Sequence, residues 1–166
     1  MAISMYQISV PVFTRMLNNL AAILDKAAAH CEAKKIDPAA LIGYRLYPDM
    51  FAFAKQVQIA TDAAKNGTAR LAGVEPPAYE DNETTFAQLI ERVKKTVEYV
   101  KTFRPDQIDG TEDREITLKR GDTVVKYRGQ DFLFHRALPN LYFHITTAYD
   151  ILRHNGVELG KRDYLG

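Results

Sequence analysis

The four histidines are the side chains of this sequence whose chemistry is easiest to judge from spacing. They are His30, His135, His144 and His154. Two ligands on one helix can share a metal ion when they lie three or four residues apart, because that spacing puts them on one face. No pair of these histidines has that spacing. A single cysteine also excludes an intrachain disulfide and a multi-cysteine zinc site.

His144 is the most informative of the four histidines. It precedes Ile145 and borders the apolar stripe of the last predicted helix. One interpretation is a buried imidazole that is hydrogen-bonded to a neighbouring helix, since buried polar groups are normally paired. The other is a ligand or a general base, since an imidazole titrates near neutral pH. The residues leave both interpretations open.

Other polar and aromatic side chains are candidates with structural alternatives. Asp49 precedes the second predicted helix and could cap its first backbone N–H groups. Gln58 and Asp62 lie four residues apart and could face either solvent or a pocket. An aromatic-rich set could pack in the core or form the wall of a pocket: Tyr44, Tyr47, Tyr142, Phe143 and Tyr149. No nucleophile elbow, glycine-rich dinucleotide loop or P-loop is present.

Helices must position these side chains, because apolar residues recur at spacings of three and four along most of the chain. Four such stripes predict long helices over residues 9–34, 49–65, 85–103 and 139–155. Ser9 is a candidate cap for the first helix, and Thr84 or Thr85 for the third. Asn66-Gly67 is expected to end the second helix, ahead of a short turn over residues 69–72.

The remaining segments connect the helices. Pro76-Pro77 makes residues 73–85 a non-helical connection. Residues 114–119 and 123–128 alternate in polarity, with Gly121 between them, and this pattern predicts a β-hairpin. Four helices and one hairpin predict an all-α fold, a four-helix bundle with a small hairpin between the third and fourth helices.

Composition limits the classes of partner. The chain of 166 residues is 46% hydrophobic and 26% charged, which predicts one folded domain over residues 1–166. A net charge of +1 argues against nucleic acid or an anionic membrane as partner. The first 20 residues lack the basic and apolar regions of a secretory signal, and no segment approaches the ~20 apolar residues of a membrane span. With a single cysteine, a cytoplasmic location is expected.

Two stretches carry a resemblance to a known family. They are GYRLYPDMFAFAKQVQIATDAAK and PNLYFHITTAYDILRHNGVELGKRDYLG. Both resemble signatures of a bacterial family known as a domain of unknown function, within the DinB/YfiT-like superfamily. The resemblance implies a four-helix bundle, often homodimeric, with relatives that are thiol-dependent transferases and isomerases or metal-dependent hydrolases.

The residues of this chain depart from the metal site that the resemblance implies. Metal-binding relatives use one histidine of the second helix and a His-x-x-x-His pair of the fourth. Here Asn140 and Ala148 lie four residues from His144, and the second helix contains no histidine. The family signatures instead point to a pocket formed by Asp49, Gln56, Gln58 and His144, with Tyr149 in its wall.

Three hypotheses follow for the function. The first is a small-ligand-binding bundle without the three-histidine site, in which His144 and Gln56 orient a small molecule. The alternative is a metal-dependent transferase or hydrolase, with His144 as a ligand and Asp49 or Asp62 completing the shell. The third is a structural or interaction role without a pocket. The sequence identifies no cofactor and leaves enzymatic activity open.

Overall fold

Four long helices form the body of the protein. In a computed structural model that describes residues 4–166, and only the backbone of residue 120, they are α1 (Val10–Lys34), α3 (Phe53–Ala72), α4 (Phe86–Lys101) and α7 (Leu138–His154). Four shorter helices lie between and after them: α2 (Pro38–Ile42), α5 (Pro105–Ile108), α6 (Gly129–Phe132) and α8 (Lys161–Leu165). The prediction about a secretory signal concerned the first 20 residues, and residues 1–3 of these lie outside the described residues.

The long helices pack around one apolar core. Helix α1 packs mainly against α4, and α3 packs against both α7 and α4. The residues that form the predicted stripes are the ones that the packing buries, among them Phe13, Leu17, Leu24, Phe53, Val57, Leu89, Val93, Leu141, Ile145 and Leu152. The predicted all-α bundle with a late hairpin is therefore confirmed.

Of the residues predicted to cap the long helices, Thr85 does so, whereas Ser9 and Asp49 do not. The Thr85 hydroxyl accepts from the Gln88 N–H at 3.2 Å and the Gln88 side chain accepts from the Thr85 N–H at 3.1 Å, so Thr85 is the cap of α4. The Ser9 hydroxyl instead donates to the Met5 carbonyl at 2.7 Å and does not cap α1. Asp49 does not cap α3 either, because α3 begins four residues later, after Ala52.

The predicted end of the second long helix at Asn66-Gly67 is wrong, since α3 continues to Ala72. Gly67 serves close packing here. A Cβ atom on it would lie 3.2 Å from Cζ of Phe13 and 3.4 Å from Cβ of Ala137. The helix ends at Gly73, which takes the left-handed conformation at φ 74°.

The last long helix also begins earlier than the predicted residue 139. Helix α6 leads directly into a π-helical turn, Leu133–Ala137, which leads into α7. Pro139 lies in the first turn of α7 and has no N–H to donate to the preceding turn. The π turn thus directly precedes the helical turn that contains Pro139.

The hairpin is confirmed with nearly the predicted bounds. Strands β1 (Glu115–Arg120) and β2 (Thr123–Arg128) pair antiparallel, with Leu118 opposite Val125. Ile116 is buried and Tyr127 packs on Phe132, so one face of the hairpin lies against the bundle. No helix within residues 4–166 is both long enough and apolar enough to cross a membrane.

Candidate functional site

His144 and Gln56 form a buried polar pair between two long helices that pack on each other, α7 and α3. The distance between Nδ1 of His144 and Oε1 of Gln56 is 2.7 Å. His144 is 8% exposed and Gln56 1% exposed. The Gln56 Nε2 group donates to the Phe51 carbonyl at 3.1 Å. A polar pair of this kind within a helix interface fixes the relative position of the two helices.

The hydrogen bonds of Gln56 determine the protonation pattern of His144. Because the Gln56 amide nitrogen donates to Phe51, its oxygen faces the imidazole and must accept. Nδ1 of His144 therefore carries the proton, and Nε2 presents a lone pair. Burial, with a smaller contribution from the charge of Arg136, lowers the pKa of His144 from 6.5 to about 4. The imidazole is thus neutral at pH 7.

A groove open to solvent lies beside this buried pair. Its lining consists of Asp49, Met50, Phe51, Gln56, Phe143 and His144, and its volume is about 260 Å³. We call it the His144 groove. Phe51 is 54% exposed and Phe143 57% exposed, so two aromatic rings stand at the mouth. Phe143 also packs edge-on against the imidazole, with ring centroids 5.1 Å apart.

The structure brings together three of the five residues that the sequence singled out. Asp49, Gln56 and His144 share the His144 groove. Gln58 lies elsewhere, with its Nε2 group donating to Glu83 at 2.9 Å. Tyr149 packs against Tyr164 with ring centroids 6.3 Å apart and does not line the groove.

The donor set of the groove does not match the three-histidine metal site of the superfamily. It offers one imidazole nitrogen and the Asp49 carboxylate, while the Gln56 oxygen is already engaged by His144. Among the described residues, no group of three or more His, Cys, Asp or Glu side chains is placed to hold a metal ion.

A second polar centre, which the sequence did not indicate, surrounds Arg92 of α4. The Arg92 side chain is 2% exposed. It contacts Asp62 at 3.2 Å, Asp81 at 3.0 Å and Glu83 at 3.0 Å. It also donates to the Thr61 hydroxyl at 2.8 Å and to the Glu80 carbonyl at 2.9 Å. All three guanidinium nitrogens are therefore used, and they attach the connecting segment 74–84 to α3 and α4.

Further cations extend this centre, which we call the Arg92 network. Lys65 contacts Asp62 at 2.9 Å and lies 4.0 Å from the ring centroid of Tyr79, and Lys95 lies 4.4 Å from that centroid. Burial alone would raise the pKa of Asp81, but the hydrogen bonds and charges of Lys55 and Arg92 lower it overall. Burial raises the pKa of the Tyr79 phenol. The network is internally neutralised and has a structural role.

One sequence signal could have revealed Arg92. It lies between Leu89 and Val93, within the apolar stripe of the third predicted helix. A charged residue at a stripe position is buried with the stripe, and buried charges are paired. Its partners could not be identified in this way, because they come from α3 and from a segment without periodicity.

Comparisons with known proteins agree with the fold. The chain matches the family model described as Domain of unknown function (DUF1993) over residues 5–165. A crystal structure described as a DinB family member protein from Shewanella denitrificans is 44% identical, with a TM-score of 0.87 over 97% of this chain and 91% of that chain. No curated protein matches the chain. The resemblance to a DinB-like domain of unknown function is confirmed.

Proposed function

Because the chain belongs to the DUF1993 family and shares the fold of a DinB family member, we propose that it binds a small molecule in the His144 groove. The observation that carries this proposal is the Gln56–His144 pair at the floor of an open, aromatic-rimmed groove. Ligand pockets typically combine apolar walls with a few oriented polar groups. A purely structural polar pair has no need of exposed aromatic rings above it.

The chemistry of the groove indicates the class of ligand. Nε2 of His144 accepts a hydrogen bond, because Nδ1 holds the proton. Asp49 can accept a hydrogen bond from the ligand or attract a cationic group on it. Phe51, Phe143 and Met50 offer contacts to the apolar part of the ligand. The matching ligand is a small aromatic amine or aromatic alcohol, with its ring between the two phenylalanines and its N–H or O–H group directed at His144.

A panel of aromatic amines and aromatic alcohols, titrated into the full chain by calorimetry, tests the proposal. Phe143→Ala removes an exposed ring of the rim, so we expect it to weaken binding at least about tenfold without unfolding the protein. Phe134→Ala removes another exposed ring outside the groove and is the matched control. Asp49→Asn should weaken the amines more than the alcohols. Binding that is equally strong in Phe143→Ala would contradict the proposal.

The alternative, a metal-dependent transferase or hydrolase, draws support from the free Nε2 of His144 beside Asp49. It ranks second because these donors do not complete a metal shell. Elemental analysis of protein purified without chelator separates the two functions. A stoichiometric divalent metal that His144→Ala abolishes would favour the enzyme. The homodimer implied by the resemblance stays a prediction.

A further inference from the structure

A second cleft lies between α3 and the π turn, one helical turn before His144 along the chain. Its volume is about 190 Å³, and its lining includes Ile59, Asn66, Arg70, Leu118, Arg136 and Asn140. We call it the arginine cleft. Gly67 also lines it, at the point where α3 packs closely on Ala137 of the π turn.

Two guanidinium groups share this cleft without a carboxylate partner. Among residues 4–166, neither Arg70 nor Arg136 has a carboxylate oxygen within 4.0 Å, and neither donates a hydrogen bond to a protein group. Three other arginines of the described residues have carboxylate partners: Arg92, Arg104 with Asp106 and Arg128 with Asp113. Arg70 is half-buried and Arg136 is exposed, and their like charges repel each other unless an anion lies between them.

The pKa of Arg70 reflects the same arrangement. Burial lowers it, Glu75 opposes this from beyond ion-pair distance, and the nearby charge of Arg136 lowers it further. Asp62 lines the cleft as well, but Oδ1 of its carboxylate is engaged by Lys65 at 2.9 Å and Arg92 at 3.2 Å. The acidic side chain that lines the cleft is thus held by other cations.

Two amides supply additional donors. Asn66 precedes Arg70 by four residues on α3, and Asn140 follows Arg136 by four residues along the helical segment that leads into α7. That spacing places each asparagine on the same face as its arginine. Arg136 lies in the π turn Leu133–Ala137, and π turns inside helices often occur at functional sites.

We propose that the arginine cleft binds a small anion, a carboxylate or a phosphate group, through the guanidinium groups of Arg70 and Arg136, with the amides of Asn66 and Asn140 as further donors. The planar fork of a guanidinium matches the oxygens of both groups. The cleft shares no lining residue with the His144 groove, although the charge of Arg136 reaches His144, and the proposal does not depend on the function proposed for that groove.

Calorimetric titration of the full chain with inorganic phosphate and, separately, with succinate tests the site and its preference. Ionic strength is held constant with sodium chloride, so that screening does not change along the titration. We expect at least one of the two anions to bind with one site per chain. Arg70→Gln and Arg136→Gln should each weaken that binding at least about tenfold. Arg153→Gln, which changes an exposed arginine on α7 outside the cleft, is the control and should keep the affinity.

A second readout separates binding from a structural role of Arg136. Without an added anion, Arg136→Gln should unfold at the same temperature as the wild type or higher, because it removes the repulsion with Arg70. Addition of the anion should raise the melting temperature of the wild type and not that of the variant. The proposal is overturned if neither anion binds, if Arg136→Gln binds as tightly as the wild type, or if this variant is destabilised without anion. Phe143→Ala should leave the anion affinity unchanged, which keeps this result distinct from the fate of the His144 groove.

Discussion

Burial, more than any partner, keeps the imidazole of His144 neutral. The Gln56 oxygen accepts a hydrogen bond from Nδ1 in either protonation state, so it does not select the neutral form. The surrounding helices remove the water that a charged ring would need, and Arg136 adds repulsion. The consequence is an imidazole that accepts hydrogen bonds at neutral pH without being charged.

This neutrality predicts a pH dependence of stability. The pKa of His144 is about 4 in the folded chain and about 6.5 unfolded, so the unfolded chain binds more protons between these values. Stability should therefore rise with pH from 4 to 6.5, by at most about 3 kcal/mol from this group. The contribution of His144 to stability is fully present above pH 6.5 and is lost as the pH falls towards 4.

Urea unfolding at several pH values measures this dependence. His144→Gln should flatten it, because the titrating group is gone. His154→Gln, an exposed histidine near the end of the same helix, should keep the slope. An unchanged slope in His144→Gln would mean that other groups cause the pH dependence.

The positions of the five predicted pocket residues show how far the sequence could predict the site at the level of single residues. The resemblance grouped Gln56 with His144 as pocket candidates, and the structure places their side chains within 2.7 Å of each other. It also grouped Gln58 with them, although a residue two positions along a helix points about 200° away. Tyr149, five positions after His144, lies about 140° around α7 by the same arithmetic. Helical geometry alone would have separated these residues.

At the scale of elements, Gly67 shows how tertiary packing overrides a local signal. The Asn66-Gly67 pair is a good helix end in isolation, yet α3 continues through it. The position requires glycine because Phe13 of α1 and Ala137 of the π turn both approach it closely. No local pattern contains that information, since the two neighbours are distant in sequence. The stripes, the hairpin and the Thr85 cap were predictable because their causes are local.

Gly67→Val tests this explanation. Its branched side chain would overlap the ring of Phe13, which is fully buried and cannot move aside freely. We expect a loss of about 1–3 kcal/mol in the free energy of unfolding, the usual effect of overpacking a core. Asn66→Val adds a similar branched side chain at the adjacent, half-buried position and should change stability by less than about 0.5 kcal/mol. Equal losses in the two variants would assign the effect to the propensity of valine in helices instead of to packing.

At the scale of the whole molecule, the Arg92 network determines how the connecting segment 74–84 lies on the bundle. The segment has no helix or strand to hold it, and Pro76-Pro77 prevents one. Instead, Arg92 contacts Asp81 and Glu83 of the segment, and Asp62 of α3. The two centres of the molecule thus differ in purpose. The charged groups of the Arg92 network are paired with one another, whereas the His144 groove leaves hydrogen-bonding groups available to a ligand.

Arg92→Leu should therefore release the segment and destabilise the fold together. Three carboxylates would lose their shared buried cation, and breaking such a group by removing one partner costs about 3–5 kcal/mol. Chemical unfolding measures the loss, and a glutamate-specific protease reports the release, since Glu75, Glu80 and Glu83 lie in or beside the segment. Lys55→Met removes only the exposed partner of Asp81, so it should cost less than about 1 kcal/mol and leave cleavage slow. If Arg92→Leu behaves like Lys55→Met in both assays, the helices hold the segment without the network, and the buried arginine has no structural role there.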